Sequence, residues 1–187
     1  RPVAVYYDAP TDELFVVDVA GHDIKVLGRD GSLRRILGGR GWQPGEFNFP
    51  CDIAADQWLL WVVDTGNHRV QGLTRGGEPV VSFGQAGDAP GDVDLAKSSA
   101  LDSAGHLYVL DGRFENVQIF DQTGRLLLTV GQEGSGPGQF WLPAGICIDR
   151  RDRIWICDTY NARVQVFDYV KQADEPSPAS VPEVEPP

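Results

Sequence analysis

Apolar residues in this chain come in short runs, broken every few positions by glycine, aspartate or asparagine. Four of these runs end on an aspartate and align with one another: Leu14-Phe15-Val16-Val17-Asp18, Leu60-Trp61-Val62-Val63-Asp64, Leu107-Tyr108-Val109-Leu110-Asp111 and Ile154-Trp155-Ile156-Cys157-Asp158. Their aspartates lie 46, 47 and 47 residues apart. A second marker keeps the same step, in Pro44-Gly45-Glu46-Phe47, Pro90-Gly91-Asp92-Val93 and Pro137-Gly138-Gln139-Phe140. A third sits six residues after each aspartate, where Ile24, Val70, Val117 and Val164 each open a further apolar run. Three independent markers on one period define an internal repeat.

Within one period the pattern reads as four short strands, a to d, joined by turns. In the third unit strand a is expected near Ser99–Leu101, b at Leu107–Leu110, c at Val117–Phe120 and d at Leu126–Val130. β-branched and aromatic residues fill the runs, and Gly, Asp and Asn fill the gaps, as antiparallel strands require. No window of eleven or more residues carries a 3.6-residue apolar period, so helix should be nearly absent. A period of ~40–50 residues holding four strands predicts an all-β fold, a β-propeller of four-stranded antiparallel blades. One such sheet has two apolar faces and cannot bury both alone; stacked around an axis, it can. The expected blades are about 1–41, 42–87, 88–134 and 135–170, followed by an extended Pro/Glu-rich tail over 171–187.

Composition narrows the function classes. Of 187 residues, 22 are glycine, which fits a turn-rich fold. The formal charge is −11, from 16 basic and 27 acidic residues. Such a surface repels phosphate, so nucleic acid is not an expected partner. The longest apolar run, Trp58–Val63, is far short of the ~20 residues that span a bilayer, so no membrane span is expected. Methionine is absent and the first residue is Arg1, which leads us to expect a processed or partial chain. The three cysteines, Cys51, Cys147 and Cys157, lack metal-ligand spacing. A Cys147–Cys157 disulfide and three separate buried thiols both fit the pattern.

Two stretches carry a family resemblance. Asp64-Thr65-Gly66-Asn67-His68-Arg69-Val70-Gln71 and Asp158-Thr159-Tyr160-Asn161-Ala162-Arg163-Val164-Gln165 resemble the core motif of NHL repeats, and Gly136–Ile146 resembles the linker and inner strand of that family. The match is looser in the first and third units, which have Gly21-His22-Asp23 and Phe114-Glu115-Asn116 where the motif wants Asn-His-Arg. The resemblance implies a propeller, most often six-bladed, serving as an interaction platform. The second half is also similar to bacterial six-bladed NHL proteins that accompany multihaem c-type cytochromes. No Cys-x-x-Cys-His occurs, so no covalent haem is expected on this chain, and no cofactor is assigned.

The fourth unit stops after strand c, Arg163–Val170, and the chain starts directly at an inner strand, Val3–Tyr7. The expectation is therefore the C-terminal two-thirds of a six-bladed ring, with about ninety residues preceding Arg1. A four-bladed ring closed by a partner chain is the rival.

Several residues invite a chemical reading. Asp18, Asp64, Asp111 and Asp158 could converge on a cation, but a residue demanded by every repeat is more simply structural, accepting backbone N–H bonds as an Asx motif does. Arg69 and Arg163 likewise read as structural, tying loops of adjacent blades. His22 and His68 occupy equivalent b–c turns and would supply part of a zinc site, yet no third histidine joins them, since His106 lies in an a–b turn. No catalytic or metal residues are assigned.

The surfaces say more. The rim built from b–c turns and interblade linkers carries Trp42, Asn67, His68, Phe114, Trp141 and Tyr160, the aromatic and polar mixture that binding faces use. Phe47 and Phe140 stand where the repeat wants an apolar side chain and are assigned to the core. The other rim has the basic cluster Arg150, Arg151 and Arg153, able to dock an acidic partner. The tail Lys171–Pro187, rich in proline and acid, is pre-organised for docking on a partner or on the propeller wall. The expectation is a non-catalytic protein–protein interaction scaffold in a bacterial exported assembly, periplasmic or extracellular, possessing protein partners such as a multihaem cytochrome. A metal-dependent lyase or lactonase of six-bladed fold is the alternative. RNA binding, known for some animal NHL proteins, fits poorly with the charge.

Overall fold

The structure, a computed structural model, describes residues 1–169, so the tail Lys171–Pro187 lies outside it. It is all-β and built as blades. Blade 1 comprises β1 (Pro2–Asp8), β2 (Glu13–Asp18), β3 (Asp23–Gly28) and β4 (Leu33–Gly38). Blade 2 comprises β5 (Pro50–Ala55), β6 (Leu60–Asp64), β7 (Arg69–Leu73) and β8 (Pro79–Phe83). Blade 3 comprises β9 (Ala96–Leu101), β10 (Leu107–Asp111), β11 (Asn116–Phe120) and β12 (Leu126–Val130). Blade 4 has three described strands, β13 (Gly145–Ile148), β14 (Ile154–Asp158) and β15 (Arg163–Phe167). Within each sheet consecutive strands pair antiparallel. The described residues contain a single turn of 3-10 helix, Thr65–Asn67. Two strand limits differ from the sequence reading by three residues, and those of β1, β10 and β11 by one. β9 begins three residues earlier, because Ala96 pairs with Asp111 across a bulge, and β15 ends at Phe167, opposite Ile154.

Alternation along each strand sends successive side chains to opposite faces, and the faces are buried in register. Phe15, Val17, Ile24 and Val26 of blade 1 pack against Ile53, Leu60 and Val62 of blade 2. Trp61, Val63 and Val70, on the other face of blade 2, pack against Leu107, Val109 and Phe120 of blade 3. Tyr108, Leu110 and Val117 then meet Ile146 and Ile156 of blade 4. One rule describes all three seams: the second and fourth residues of each Leu/Ile-x-x-x-Asp run face the following blade, and the first and third face the preceding one. The inner strands β1, β5, β9 and β13 follow one another around the axis, each packed on the next.

Linker residues Phe47, Val93 and Phe140 are fully buried and wedge each blade to its predecessor. Glycine is required above them. Gly38, Gly84 and Gly131 have φ of 75°, 91° and 91°, and a Cβ on Gly131 would sit 2.2 Å from the Phe140 ring.

Among the described residues, the first and last of the four propeller blades each leave one face exposed. By the seam rule Trp155 and Cys157 face a following blade, and on that face Cys147, Cys157, Val164 and Val166 are exposed. At the other end Val3, Val5, Tyr7 and Ile36 are exposed on the face directed away from blade 2.

Candidate functional site

The rim where strand b turns into strand c is organised by the repeated aspartates, which divide into two kinds. In blades 2 and 4 the buried carboxylate is the centre of a cage. Asp64 accepts from the Asn48 amide (2.7 Å), Asn67 Nδ2 (2.9 Å) and Arg69 Nε (2.8 Å). Asp158 repeats this with the Trp141 amide (2.8 Å), Asn161 Nδ2 (3.0 Å), Arg163 Nε (2.8 Å) and Gln165 Nε2 (3.0 Å). Burial alone would raise the Asp158 carboxyl, but these donors outweigh it and hold it below the usual carboxylate range. In blades 1 and 3 the aspartate caps its own turn, as an Asx motif does. Asp18 accepts from the Ala20 and Gly21 amides, and Asp111 from those of Arg113 and Phe114. The arginine and asparagine of the full motif are absent from those two units; Asp18 bonds Lys25 Nζ (2.6 Å) in their place, and Asp111 keeps the linker amides of Asp94 (2.9 Å) and Leu95 (3.0 Å).

The motif arginines grip the incoming linker of their own blade rather than a loop of the adjacent one. Arg69 donates to the carbonyls of Trp42, Gln43 and Glu46, and Arg163 to those of Ser135, Gly136 and Gln139. Each guanidinium thus fixes a tight Pro-Gly turn through charge-assisted bonds.

The fourth residue after each aspartate holds a left-handed turn, and in blades 1 to 3 its side chain reaches across the seam. His22, His68, Glu115 and Ala162 all have φ between 50° and 55° at this position. His22 Nδ1 accepts from the Phe49 amide (3.0 Å), Glu115 Oε1 accepts from the Leu142 amide (3.2 Å), and His68 Nδ1 lies 3.0 Å from the Asp94 carbonyl. The two histidines are therefore interblade fasteners. Among the described residues, no cluster of three or more His, Cys, Asp or Glu is arranged to hold a metal ion. The third histidine, His106, bonds Asp102 through Nδ1 (2.8 Å) in an a–b turn.

Of the rim residues singled out in the sequence, Asn67 is engaged in the Asp64 cage and also donates to Gly41 O (2.8 Å). Phe114 is half-buried. Trp42 is 75% exposed although its carbonyl is held by Arg69, and Tyr160 is 63% exposed. Tyr160 and Trp141 lie with ring centroids 5.7 Å apart, and the Trp141 backbone is clamped by Asp158 and by the Tyr160 amide. Trp42 belongs to blade 2 and the Trp141–Tyr160 pair to blade 4. On the opposite rim Arg150 and Arg151 are exposed, whereas Arg153 bonds Asp149 and lies 5.2 Å above the Trp155 ring. All three cysteines are free, because Cys147 is paired with Trp155 and not with Cys157. Burial pushes the Cys51 thiol up to about 12.

The sequence reading missed Phe49, Leu95 and Leu142, which stand two residues after the linker wedges Phe47, Val93 and Phe140. Phe49 and Leu95 are exposed, and Phe49 and Leu142 have φ of 48° and 45°. An apolar residue at the same offset in three units was a readable signal.

Residues 140–167 match the model of the NHL repeat. No curated protein sequence matches the chain. Solved structures resemble it at low identity. Streptogramin B lyase is 11% identical with a TM-score of 0.63, over 90% of this chain and 54% of that one. A catalytically inactive His-to-Ala virginiamycin B lyase from Staphylococcus aureus with quinupristin is 15% identical at TM-score 0.63, over 89% and 55%. An auxiliary nutrient binding protein from Bacteroides thetaiotaomicron is 14% identical at TM-score 0.64, over 87% and 46%. The chain spans about half the length of these proteins, and the likeness is one of fold.

Proposed function

With an NHL repeat at 140–167 on a β-propeller fold, we propose that the chain is a non-catalytic protein–protein interaction scaffold. The observation that carries this is the division of labour at the b–c rim. Motif side chains hold the backbone of the linkers, while large aromatic side chains on those same loops stand in solvent. Arg69 fixes the Trp42 carbonyl and leaves the indole free; Asp158 fixes Trp141, whose ring pairs with Tyr160. Aromatic anchors on a rigid frame lose little conformational entropy on binding, which is how such surfaces gain affinity. The partners proposed are proteins of a bacterial exported assembly, multihaem cytochromes among them.

The ring is proposed to be six-bladed. In support, each terminal blade leaves open the face that every internal seam buries, and the chain spans about half of the two lyases it resembles. Two further blades would cover Trp155 and Cys157 at one end and Val5 and Tyr7 at the other.

A lyase is the second reading, favoured by two neighbours that are lyases, one of them inactive without a histidine. Here His22 and His68 are tied to the following blade's linker, which speaks for fastening over proton transfer.

Co-purification of tagged chain from its source, with haem absorbance read on the captured material, tests the scaffold. Trp42→Ala combined with Tyr160→Ala should lower capture of the partner about tenfold or more with an unchanged melting temperature. Undiminished capture would sink the reading, and stoichiometric zinc or calcium by elemental analysis would favour the lyase.

A further inference from the structure

Blade 3 repeats the linker turn of blades 2 and 4 but not the arginine that holds it. In all three blades the Pro-Gly turn is closed by one backbone bond: the amide of Glu46 to the carbonyl of Gln43 (3.0 Å), Asp92 to Ala89 (2.9 Å) and Gln139 to Gly136 (3.1 Å). A strand-c glutamine brackets each turn, as Gln71, Gln118 and Gln165. Each accepts from the amide of the turn glycine and donates to the carbonyl of the residue after it. Two residues before that glutamine, and paired with the repeated aspartate, stand Arg69 in blade 2, Arg163 in blade 4 and Asn116 in blade 3. The turn is therefore conserved across the three units, and its guanidinium is missing from one.

The consequence is a hollow. Trp42, Gln43 and Glu46, whose carbonyls receive Arg69, correspond in the repeat to Asp88, Ala89 and Asp92. Between that linker and strand β11 lies a cavity of about 350 Å³, lined by Asp88, Ala89, Phe114, Asn116 and Gln118 among others. Volumes of this order hold small ligands or single side chains. The shorter Asn116 does not replace the arginine, and its Oδ1 is buried without a hydrogen-bond partner among the described residues. The motif asparagine is missing here as well. Phe114 stands where Asn67 and Asn161 donate to the linker carbonyls of Gly41 and Gly134. Arg113, the basic residue of this turn, is 67% exposed and paired with Asp94 (2.5 Å). The lining holds an acidic residue, Asp88, and no basic one.

We infer that this hollow is a guanidinium site, which takes from a ligand the group that blades 2 and 4 supply for themselves. The carbonyls of Asp88, Ala89 and Asp92 accept the fork, as their counterparts accept Arg69 and Arg163, and Phe114 offers an aromatic neighbour to the planar cation. The formal charge of −11 favours the approach of a cation. An ammonium is a poor substitute, because a point charge does not span several converging carbonyls as a planar fork does. The ligand chemistry is that of a small guanidine or of an arginine side chain. This site belongs to blade 3, does not rest on the scaffold reading, and is separate from Trp42 of blade 2 and Tyr160 of blade 4.

The test is calorimetric titration of the 187-residue chain with methylguanidinium, methylammonium and an acetylated, amidated glycine-arginine-glycine peptide. Methylguanidinium should bind saturably, and methylammonium about tenfold more weakly, the difference expected for one further charged hydrogen bond. Asn116→Arg should fill the hollow from within, abolish binding and raise the melting temperature by about 2–4 °C. Phe114→Ala leaves the bonds of the turn in place and should weaken methylguanidinium about threefold, which keeps the test decisive if Asn116→Arg does not fold. Trp42→Ala should change none of these, which separates this site from the scaffold reading. Binding by the peptide as tightly as by methylguanidinium assigns the site to an arginine of a partner protein; binding by methylguanidinium alone assigns it to a small guanidine. No saturable binding of methylguanidinium, equal binding of methylammonium, or undiminished affinity in either folded variant overturns the inference.

Discussion

Nδ1 of His22 accepts a hydrogen bond from the backbone amide of Phe49, 27 residues on and in the next blade's linker, at 3.0 Å. The His22 ring also lies 4.5 Å from the Phe49 ring, centroid to centroid. Glu115 does the same for Leu142 two seams further round, with a carboxylate oxygen in place of the imidazole nitrogen. What the two share is an acceptor on a left-handed turn residue, reaching an amide that the inner strand leaves unpaired. The histidine of the NHL motif is, in this chain, one solution to a hydrogen-bonding requirement between blades.

His22→Ala should therefore destabilise the chain by about 1–2 kcal/mol, the cost of stranding a half-buried amide plus a left-handed conformation on alanine. His22→Asn should recover most of it, since asparagine tolerates that backbone and its side-chain oxygen accepts. Urea denaturation of the three proteins checks this. Equal loss in both variants would mean that ring packing on Phe49, and not the acceptor, is what matters.

Asp158→Ala strands the Trp141 amide, Asn161, Arg163 and Gln165 together, and should cost about 3 kcal/mol at neutral pH. Because the native carboxyl is held below its ordinary value of 3.8, its contribution is complete above that pH and is lost as pH falls through the native value. The stability gap between wild type and variant should accordingly narrow in acid. A gap that stays constant from pH 7 to pH 3 would assign the loss to packing.

Much of this architecture was legible because the repeat writes each constraint several times. The Asp-x-x-Asn-x-Arg-x-Gln spacing puts three polar side chains around one buried carboxylate in blades 2 and 4, and the linker Phe47 and Phe140 are wedges wherever they occur. What the spacing could not give was direction. Arg69 and Arg163 turn back to their own blade's linker, because three carbonyls of a Pro-Gly turn converge there. His22 and His68 look like ligands in a string of letters, and only the left-handed turn sends them across the seam.

Asp52 moves the opposite way from Asp158. It lies on the inner strand β5 and accepts from the Ser99 amide of β9 at 2.6 Å, but burial outweighs that bond and raises its carboxyl above the ordinary value. Between the ordinary and the raised value the unfolded chain has lost its proton while the native chain keeps it. Stability from this group is thus present below 3.8 and lost as pH rises through the native value. Asp52→Asn keeps an acceptor for Ser99 and removes the charge. Its melting temperature should exceed that of wild type by about 2–4 °C at neutral pH and converge with it in acid. A lower melting temperature at pH 7 would show that the ionised bond to Ser99 is favourable overall.

The thiols report on the exposed face of blade 4. Cys51 is half-buried between blades 2 and 3, donates to the Ala96 carbonyl, and has its thiol pushed up to about 12, so at neutral pH it holds almost no thiolate. Cys147 and Cys157 are exposed, both on the face of blade 4 that points away from blade 3. By the seam rule, Cys157 occupies the place that Val17, Val63 and Leu110 fill in the preceding blades, and each of those is fully buried against its successor. A disulfide-exchange reagent should therefore modify two thiols of the isolated 187-residue chain rapidly and the third slowly. In a chain extended by the two further blades proposed above, Cys147 and Cys157 should become as slow as Cys51, because the next blade would cover them. If both thiols stay fast in the extended protein while its added blades are folded by circular dichroism, the face of blade 4 is not a blade-to-blade seam, and the ring does not close there.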